Sequence, residues 1–81
     1  MKTTRYFDNI RTRPDRINIK ESWILHAMNN PEHEEIQGDD RIRRWCKIPD
    51  AGDKYLRVVL LEDGETVHNA FFDRSFKGGR K

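Results

Sequence analysis

The stretch YLRVVLLEDGETVHNAFF, residues 55–72, decides the fold of this chain. At its centre stands Asp63-Gly64, a dipeptide typical of two-residue hairpin turns. β-Branched and aromatic residues flank the turn, and they predict strands over residues 55–62 and 66–72. The stretch therefore predicts an antiparallel β-hairpin.

A two-residue turn also fixes which side chains share a face of this hairpin. Leu60 lies opposite Val67 on a mostly apolar face, which we expect to pack against helices. That face also pairs Val58 with Asn69 and Leu56 with Phe71. The other face pairs Val59 with His68, Arg57 with Ala70 and Tyr55 with Phe72. Its mixture of aromatic and cationic groups predicts an open surface.

Two further strands precede the hairpin, over residues 33–37 and 41–48, joined by a turn at residues 38–40. Alternation along the second strand directs four side chains to the open face: Arg41, Arg43, Trp45 and Lys47. A three-residue turn sets Glu35 opposite Arg43 and Glu34 opposite Arg44. These arginines therefore have two interpretations, as cross-strand ion-pair partners or as ligand-binding groups.

Helical periodicity marks the N-terminal part of the chain. Residues 4–13 predict a short helix, and residues 22–28 a second one with Trp23 and Ile24 facing the core. Asn18 is the expected N-cap of the second helix, with Glu21 three residues later as in a capping box. Two helices followed by a four-stranded antiparallel meander predict an α+β fold with the helices on one sheet face.

Composition limits the classes of protein that remain. With 81 residues, 35% hydrophobic and 37% charged, the chain has room for one domain, residues 1–81, with a small core. No apolar run approaches the roughly 20 residues of a membrane span, so we expect a cytoplasmic protein without a membrane partner. Cys46 is alone, which excludes an internal disulfide. Residues 77–81 are expected to form a flexible tail.

The net charge of +2 conceals blocks of opposite sign, basic at residues 1–20 and 41–57 and acidic at residues 21–40. One interpretation is that acidic and basic segments pair with each other on the surface. The other is a basic patch that binds an anion such as a phosphate backbone.

Candidate chemistry is concentrated on the open face of the sheet. His68 is a candidate general acid or base, because imidazole titrates near neutral pH. Arg41 and Arg57 are candidates to hold a phosphate by forked hydrogen bonds, as is Arg74. The alternative for His68 is a simple strand position beside Val59.

Groups that bind single-stranded RNA interleave cations with aromatic rings. The candidate RNA-binding residues with this character are Arg43, Trp45, Lys47, Tyr55 and Arg74. No metal site and no cofactor are predicted, because His33-Glu34-Glu35 lacks further ligands and Gly78-Gly79 is not a phosphate-binding loop.

Several runs carry a family resemblance, and they are Asn30-Pro31, residues 41–45, residues 55–60 and residues 62–74. In order and spacing these runs resemble a group of small bacterial proteins near the RelE- and BrnT-like toxins of toxin–antitoxin systems. The likeness spans residues 17–76. The wider group begins with a helix bearing a His-Ala pair, whereas residues 5–13 here contain no histidine.

The resemblance implies a RelE-like fold, with an RNA-cleaving site on a curved sheet that a small antitoxin protein covers. By analogy the site residues are Arg41, Arg43, Arg57, His68 and Arg74. Two hypotheses follow. One is a metal-independent endoribonuclease toxin acting on RNA, including ribosome-bound mRNA. The other is a non-catalytic interaction module that binds an acidic protein or RNA.

Overall fold

The computed structural model describes residues 1–76, and the prediction for the tail at 77–81 lies outside the described residues. Its elements are α1 (Arg5–Ile10), α2 (Glu21–Asn29), β1 (His33–Ile36), β2 (Ile42–Ile48), a 3-10 turn (Pro49–Ala51), β3 (Lys54–Leu60) and β4 (Val67–Phe72). The strands form one sheet in the order β1-β2-β3-β4, and every neighbouring pair is antiparallel. The predicted α+β class with two helices and a four-stranded meander is confirmed.

The hydrophobic core lies between the two helices and one face of the sheet. Phe7 and Ile10 enter it from α1, and Ile24 and Ala27 from α2. The sheet contributes Cys46, Ile48, Leu56, Val58, Leu60, Val67 and Ala70, all at most 3% exposed. Within residues 1–76 no helix is long and apolar enough to cross a membrane.

Both helices begin or end differently from the prediction. The α1 helix is shorter than residues 4–13: Thr4 caps it by accepting a hydrogen bond from the Phe7 amide at 3.1 Å, and turns follow Ile10. The N-cap of α2 is Lys20, so the prediction of Asn18 is wrong. Glu21 is therefore the first helical residue and not the third after the N-cap, so the capping box does not form, and its carboxylate lies 3.6 Å from Arg11.

The register of β1 against β2 is confirmed. Glu34 pairs with Arg44 and Glu35 with Arg43 across the ladder. The connecting turn closes with a hydrogen bond from the Gln37 amide to the Arg41 carbonyl at 2.8 Å. Opposite charges facing each other across a turn of fixed length specify this register.

The turn between β3 and β4 is longer than the predicted two residues. Leu61 donates its amide to the Thr66 carbonyl at 3.0 Å, which encloses a four-residue loop. The Asp63 carboxylate accepts the amides of Glu65 and Thr66, both at 2.9 Å, and Gly64 has a φ of +71°. This loop is centred on the same dipeptide, so the Leu60–Val67 pair survives.

A β-bulge at His68 overturns the predicted register beyond that pair. Val59 pairs with Asn69, while its neighbour Leu60 pairs with Val67, so His68 is an extra residue in β4. The remaining pairs shift by one residue, to Val58–Ala70, Arg57–Phe71 and Leu56–Phe72. The predicted pairs of Val59 with His68, Val58 with Asn69, Arg57 with Ala70, Leu56 with Phe71 and Tyr55 with Phe72 are therefore wrong. A bulge of this kind turns two adjacent side chains toward one side.

Residues at the N-terminus extend the sheet beside the bulge. Val67 donates its amide to the Lys2 carbonyl at 2.8 Å, and Thr4 donates its amide to the Val67 carbonyl at 3.0 Å. Thr3 thereby forms a parallel bridge with Val67. This contact brings the start of α1 next to His68.

Candidate functional site

Three side chains predicted as catalytic line one shallow groove of about 460 Å³ on the open face of the sheet. They are His68, Arg41 and Arg57. The complete lining is Tyr6, Gln37, Arg41, Arg57, Val59, His68, Asn69 and Phe71, and we call it the histidine groove. Two arginines and no carboxylate line it, so it is suited to an anion.

The imidazole of His68 is held by the N-terminal part of the chain. Its Nδ1 lies 3.1 Å from Thr4 Oγ1, and its ring stacks on Tyr6 with centroids 4.8 Å apart. Partial burial lowers the pKa of His68, and the positive charge of Arg41 lowers it further against the opposing effect of Asp39. The ring is therefore neutral at neutral pH.

Arg57 is fixed in place by contacts on three sides. Its guanidinium lies 3.5 Å from the Asp73 carboxylate. It also lies over the rings of Trp45 and Phe71, at 5.5 and 5.1 Å from their centroids. Its Nε is buried and has no hydrogen-bond partner among residues 1–76. These contacts orient Arg57 and also give it a structural role.

Arg41 is the less constrained of the two groove arginines. It stands just before β2, and its side chain is 42% exposed. Its Nε lies 3.7 Å from the carboxylate of Asp39, which is itself about half exposed. An exposed pair of this kind is weak, so Arg41 is free to turn toward a bound anion.

Asp73 holds several side chains of the open face in position. It accepts hydrogen bonds from the Trp45 indole at 3.0 Å and from the hydroxyl of Ser75 at 2.8 Å. Burial acts to raise the pKa of Asp73, but these hydrogen bonds and the charge of Arg57 outweigh it and hold the pKa below its usual value. Asp73 therefore stays ionised and keeps Arg57 in position.

A second groove, of about 690 Å³, lies at the end of the sheet where β4 finishes. We call it the aromatic groove. It is lined by Asp15, Arg16, Asp53, Lys54, Tyr55, Phe71, Phe72, Asp73, Arg74 and Phe76. Two predicted RNA-binding residues, Tyr55 and Arg74, are in this groove and not in the histidine groove. Phe71 lines both grooves and forms the wall between them.

Trp45, predicted to stack a base, is covered by other parts of the chain. It is only 4% exposed. The Phe76 ring stacks on it at 4.8 Å and an angle of 9°, and His33 lies 5.2 Å away. Phe76 thus occupies the stacking position that an incoming base would need.

Arg43 and Lys47 lie outside both grooves. Arg43 faces Glu35 at 3.7 Å, in line with the cross-strand interpretation of this arginine. Lys47 is exposed, and its ammonium lies 5.8 Å from the ring of Tyr55. The structure therefore does not bring these two cations to the three residues of the histidine groove.

Sequence reasoning missed Arg16, which reaches the open face around the outer edge of β4. It donates to the Asn69 side chain at 2.8 Å and lies 5.3 Å from the Phe71 centroid. The bulge brings Asn69 and Phe71 to that face. The only signal in the sequence was the basic character of residues 1–20.

Comparison of the chain with protein-family models, curated proteins and solved structures finds no match. The resemblance to RelE- and BrnT-like toxins therefore stays a prediction. Within residues 1–76 no group of three His, Cys, Asp or Glu residues could hold a metal ion.

Proposed function

We propose that this protein is an RNA-cleaving toxin whose histidine groove binds a phosphodiester and cleaves it without a metal ion. One observation carries the proposal: His68, Arg41 and Arg57 come from separate parts of the chain and line the same groove. A neutral imidazole that lines the same groove as two guanidinium groups supplies a proton acceptor at an anion-binding site.

The two arginines bind the phosphate in different ways, one from a fixed position and one from a mobile side chain. Arg57 is oriented by Asp73 at 3.5 Å and lines the groove; its Nε is buried, so its contact with the phosphate is made by the terminal nitrogens of the guanidinium. Arg41 is half exposed and supplies a mobile second fork. Guanidinium groups bind phosphate oxygens by paired hydrogen bonds, and the charge they stabilise increases in the transition state.

His68 acts as the general base. Thr4 Oγ1 already accepts the Phe7 amide and has a second lone pair for the His68 Nδ1–H at 3.1 Å. The general-base role requires the tautomer in which Nδ1–H donates to Thr4 Oγ1, because Nε2 is then unprotonated. The lowered pKa keeps the ring in this neutral form at physiological pH.

The reaction is an internal transesterification. His68 Nε2 takes the proton of the ribose 2′-hydroxyl, the 2′-oxygen forms a bond to phosphorus, and the bond from phosphorus to the 5′-oxygen breaks. The leaving 5′-oxygen takes a proton from a water molecule in the groove, and the hydroxide that remains takes the proton from the His68 imidazolium, which restores the neutral ring. The products are a 2′,3′-cyclic phosphate and a 5′-hydroxyl end.

The test is cleavage of an end-labelled single-stranded RNA by the purified protein in excess EDTA. We expect cyclic-phosphate ends with the wild type and a loss of at least about 100-fold in rate for His68→Asn. His26→Asn is the matched control, because His26 is exposed on α2, away from the open face. Equal cleavage by wild type and His68→Asn contradicts the proposal.

Arg41→Ala tests the phosphate contact without disturbing the fold. We expect weaker RNA binding and slower cleavage, whereas Arg13→Ala removes the same charge from an exposed turn and has little effect. Arg57→Ala is less informative, because it also breaks the contact with Asp73.

The proposed toxicity can be tested in cells. Induced expression of the wild type is expected to arrest growth, and the Arg41→Ala/His68→Asn double variant is expected to relieve the arrest. In this proposal a small antitoxin protein covers the open face. Growth arrest by the double variant at equal expression contradicts the assignment of toxicity to the histidine groove.

A second candidate function is non-catalytic binding of RNA or an acidic protein by the same face. It is favoured by the pairing of Arg57 with Asp73 and by the single imidazole in the histidine groove. RNA binding that depends on Arg41, without any strand cleavage, supports this alternative.

A further inference from the structure

The two grooves share a wall but differ in charge. The histidine groove is lined by two arginines and no carboxylate. The aromatic groove has three cations and three carboxylates among its lining residues, so its formal charge is balanced. A phosphate is therefore expected in the first groove, and an uncharged part of the same ligand in the second.

The aromatic groove offers flat apolar surface to such a ligand. Its lining includes Tyr55, Phe71, Phe72 and Phe76. The rings of Tyr55 and Phe76 meet edge to face at 5.0 Å, and the guanidinium groups of Arg16 and Arg57 lie 5.3 and 5.1 Å from the Phe71 centroid. Rings fixed in this way are suited to stacking an unpaired nucleobase.

One carboxylate of the aromatic groove is free to recognise the edge of a base. Asp73 is engaged by Arg57 and Trp45, and Asp15 lies 3.4 Å from Arg16. No hydrogen bond or ion pair within residues 1–76 involves the carboxylate of Asp53. The Asp53 amide donates to the Ile48 carbonyl at 3.1 Å, which anchors this residue at the rim.

A carboxylate has acceptors only, so it pairs best with two adjacent donors. Guanine presents two such donors, N1–H and the N2 amino group. The Watson–Crick edges of adenine and cytosine place an acceptor beside the donor, and uracil has one donor between two acceptors.

We propose that the aromatic groove is a guanine-binding subsite, with the base stacked on the aromatic rings and its N1 and N2 donors on Asp53. This inference rests on the proposed function, since the shared wall at Phe71 places the base next to the phosphate in the histidine groove. The guanine then belongs to a nucleotide beside the scissile phosphate.

The direct test is titration of the ¹⁵N-labelled protein with 5′-GMP, 5′-IMP and 5′-AMP, followed by amide chemical shifts. We expect GMP to shift the amides of residues 53–55 and 71–76 and to bind about tenfold more tightly than AMP. IMP, which lacks the N2 amino group, is expected to fall between them. Equal affinity for GMP and AMP overturns the proposal.

Asp53→Asn is expected to abolish the preference for GMP and to leave binding of AMP unchanged. Asp50→Asn is the matched control, because Asp50 is an exposed aspartate of the same connection that does not line the groove. Loss of the preference in both variants, or in neither, overturns the assignment to Asp53.

Different results would overturn the proposed RNA cleavage and the proposed guanine subsite. Cleavage of RNA without preference for guanine beside the cut overturns the subsite and leaves the proposed function intact. Binding of GMP that depends on Asp53, in a protein that does not cleave RNA, overturns the proposed function and leaves a guanine site.

Discussion

The two faces of the sheet are built from the same strands but differ in the side chains they carry and in how those side chains are buried. On the helix-covered face, Leu56, Val58 and Leu60 are fully buried among apolar neighbours. On the open face, Arg57 and Val59 alternate with them, and Tyr6 from α1 stacks there on His68. Burial there is achieved by ion pairs and stacked rings. The first face provides the stability of the fold, and the second holds polar groups in fixed positions.

The largest expected effect comes from comparing the same change on the two faces. Val58→Ala is expected to cost about 2–3 kcal/mol in the free energy of unfolding, from two lost methyl groups and the cavity they leave. Val59→Ala is expected to cost about 1 kcal/mol, because water in the histidine groove can fill the space. Urea denaturation of both variants measures the difference. Equal costs would mean that the open face is packed as tightly as the core.

The next largest effect on the free energy of unfolding is expected from Asp73, which holds polar and aromatic side chains of the open face in place. Asp73→Asn is expected to cost about 1–2 kcal/mol, because the amide cannot accept from the Trp45 indole and Ser75 while also balancing Arg57. Urea denaturation at neutral pH, followed by Trp emission, gives this value. A variant as stable as the wild type would show that Asp73 does not support the face.

Acid titration examines the same carboxylate. Because folding lowers the pKa of Asp73, its stabilising contribution is present above a pH of about 4 and is lost as the pH falls below that. The free energy of unfolding should therefore decline less steeply below pH 4 in Asp73→Asn than in the wild type. Asp63 has a pKa lowered to about 2 by the turn hydrogen bonds and remains in both proteins as an internal reference.

A smaller effect is expected on the pKa of His68, which depends on the charges of Arg41 and Asp39. Arg41→Gln is expected to raise the pKa of His68 toward its ordinary value, because it removes a positive charge, and Asp39→Asn is expected to lower that pKa further. NMR titration of the imidazole resonances measures both shifts. If the two variants move the midpoint in the same direction, charge does not control this histidine.

The smallest effect is expected at the edge of the helix-covered face. Arg44 pairs with the half-exposed Glu34 at 2.6 Å and also donates to the Met28 carbonyl at 2.9 Å. Glu34→Gln is expected to change the free energy of unfolding by less than about 1 kcal/mol. Arg44→Ala should cost more, since it also removes the bond to α2. Urea denaturation compares the two, and a larger loss for Glu34→Gln would contradict this order.

The fold could be predicted where local chemistry and pairing agree. The glutamates of β1 face the arginines of β2 across a turn of fixed length, and their register was predicted correctly. In β4, strict alternation from Val67 places Asn69 on the core face. That polar residue was the signal of a bulge, because skipping one position brings Ala70 into the core in its place.

The grouping of His68, Arg41 and Arg57 was also predictable in part. Alternation places Arg41 and Arg57 on one face, and the bulge leaves His68 on that face although its predicted partner was wrong. The cover over Trp45 was not predictable, because it depends on how the chain turns back after β4. Asp73 and Ser75 fix that turn through contacts that no periodicity describes.

The bulge at His68 also bears on how copies of this protein meet. A regular outer strand is a template for another chain, but an extra residue breaks the spacing of its amides and carbonyls. On β4 the Val67 amide and carbonyl are already taken by Lys2 and Thr4. Addition of another strand is therefore hindered at the bulged end of β4, whereas the register along β1 is regular.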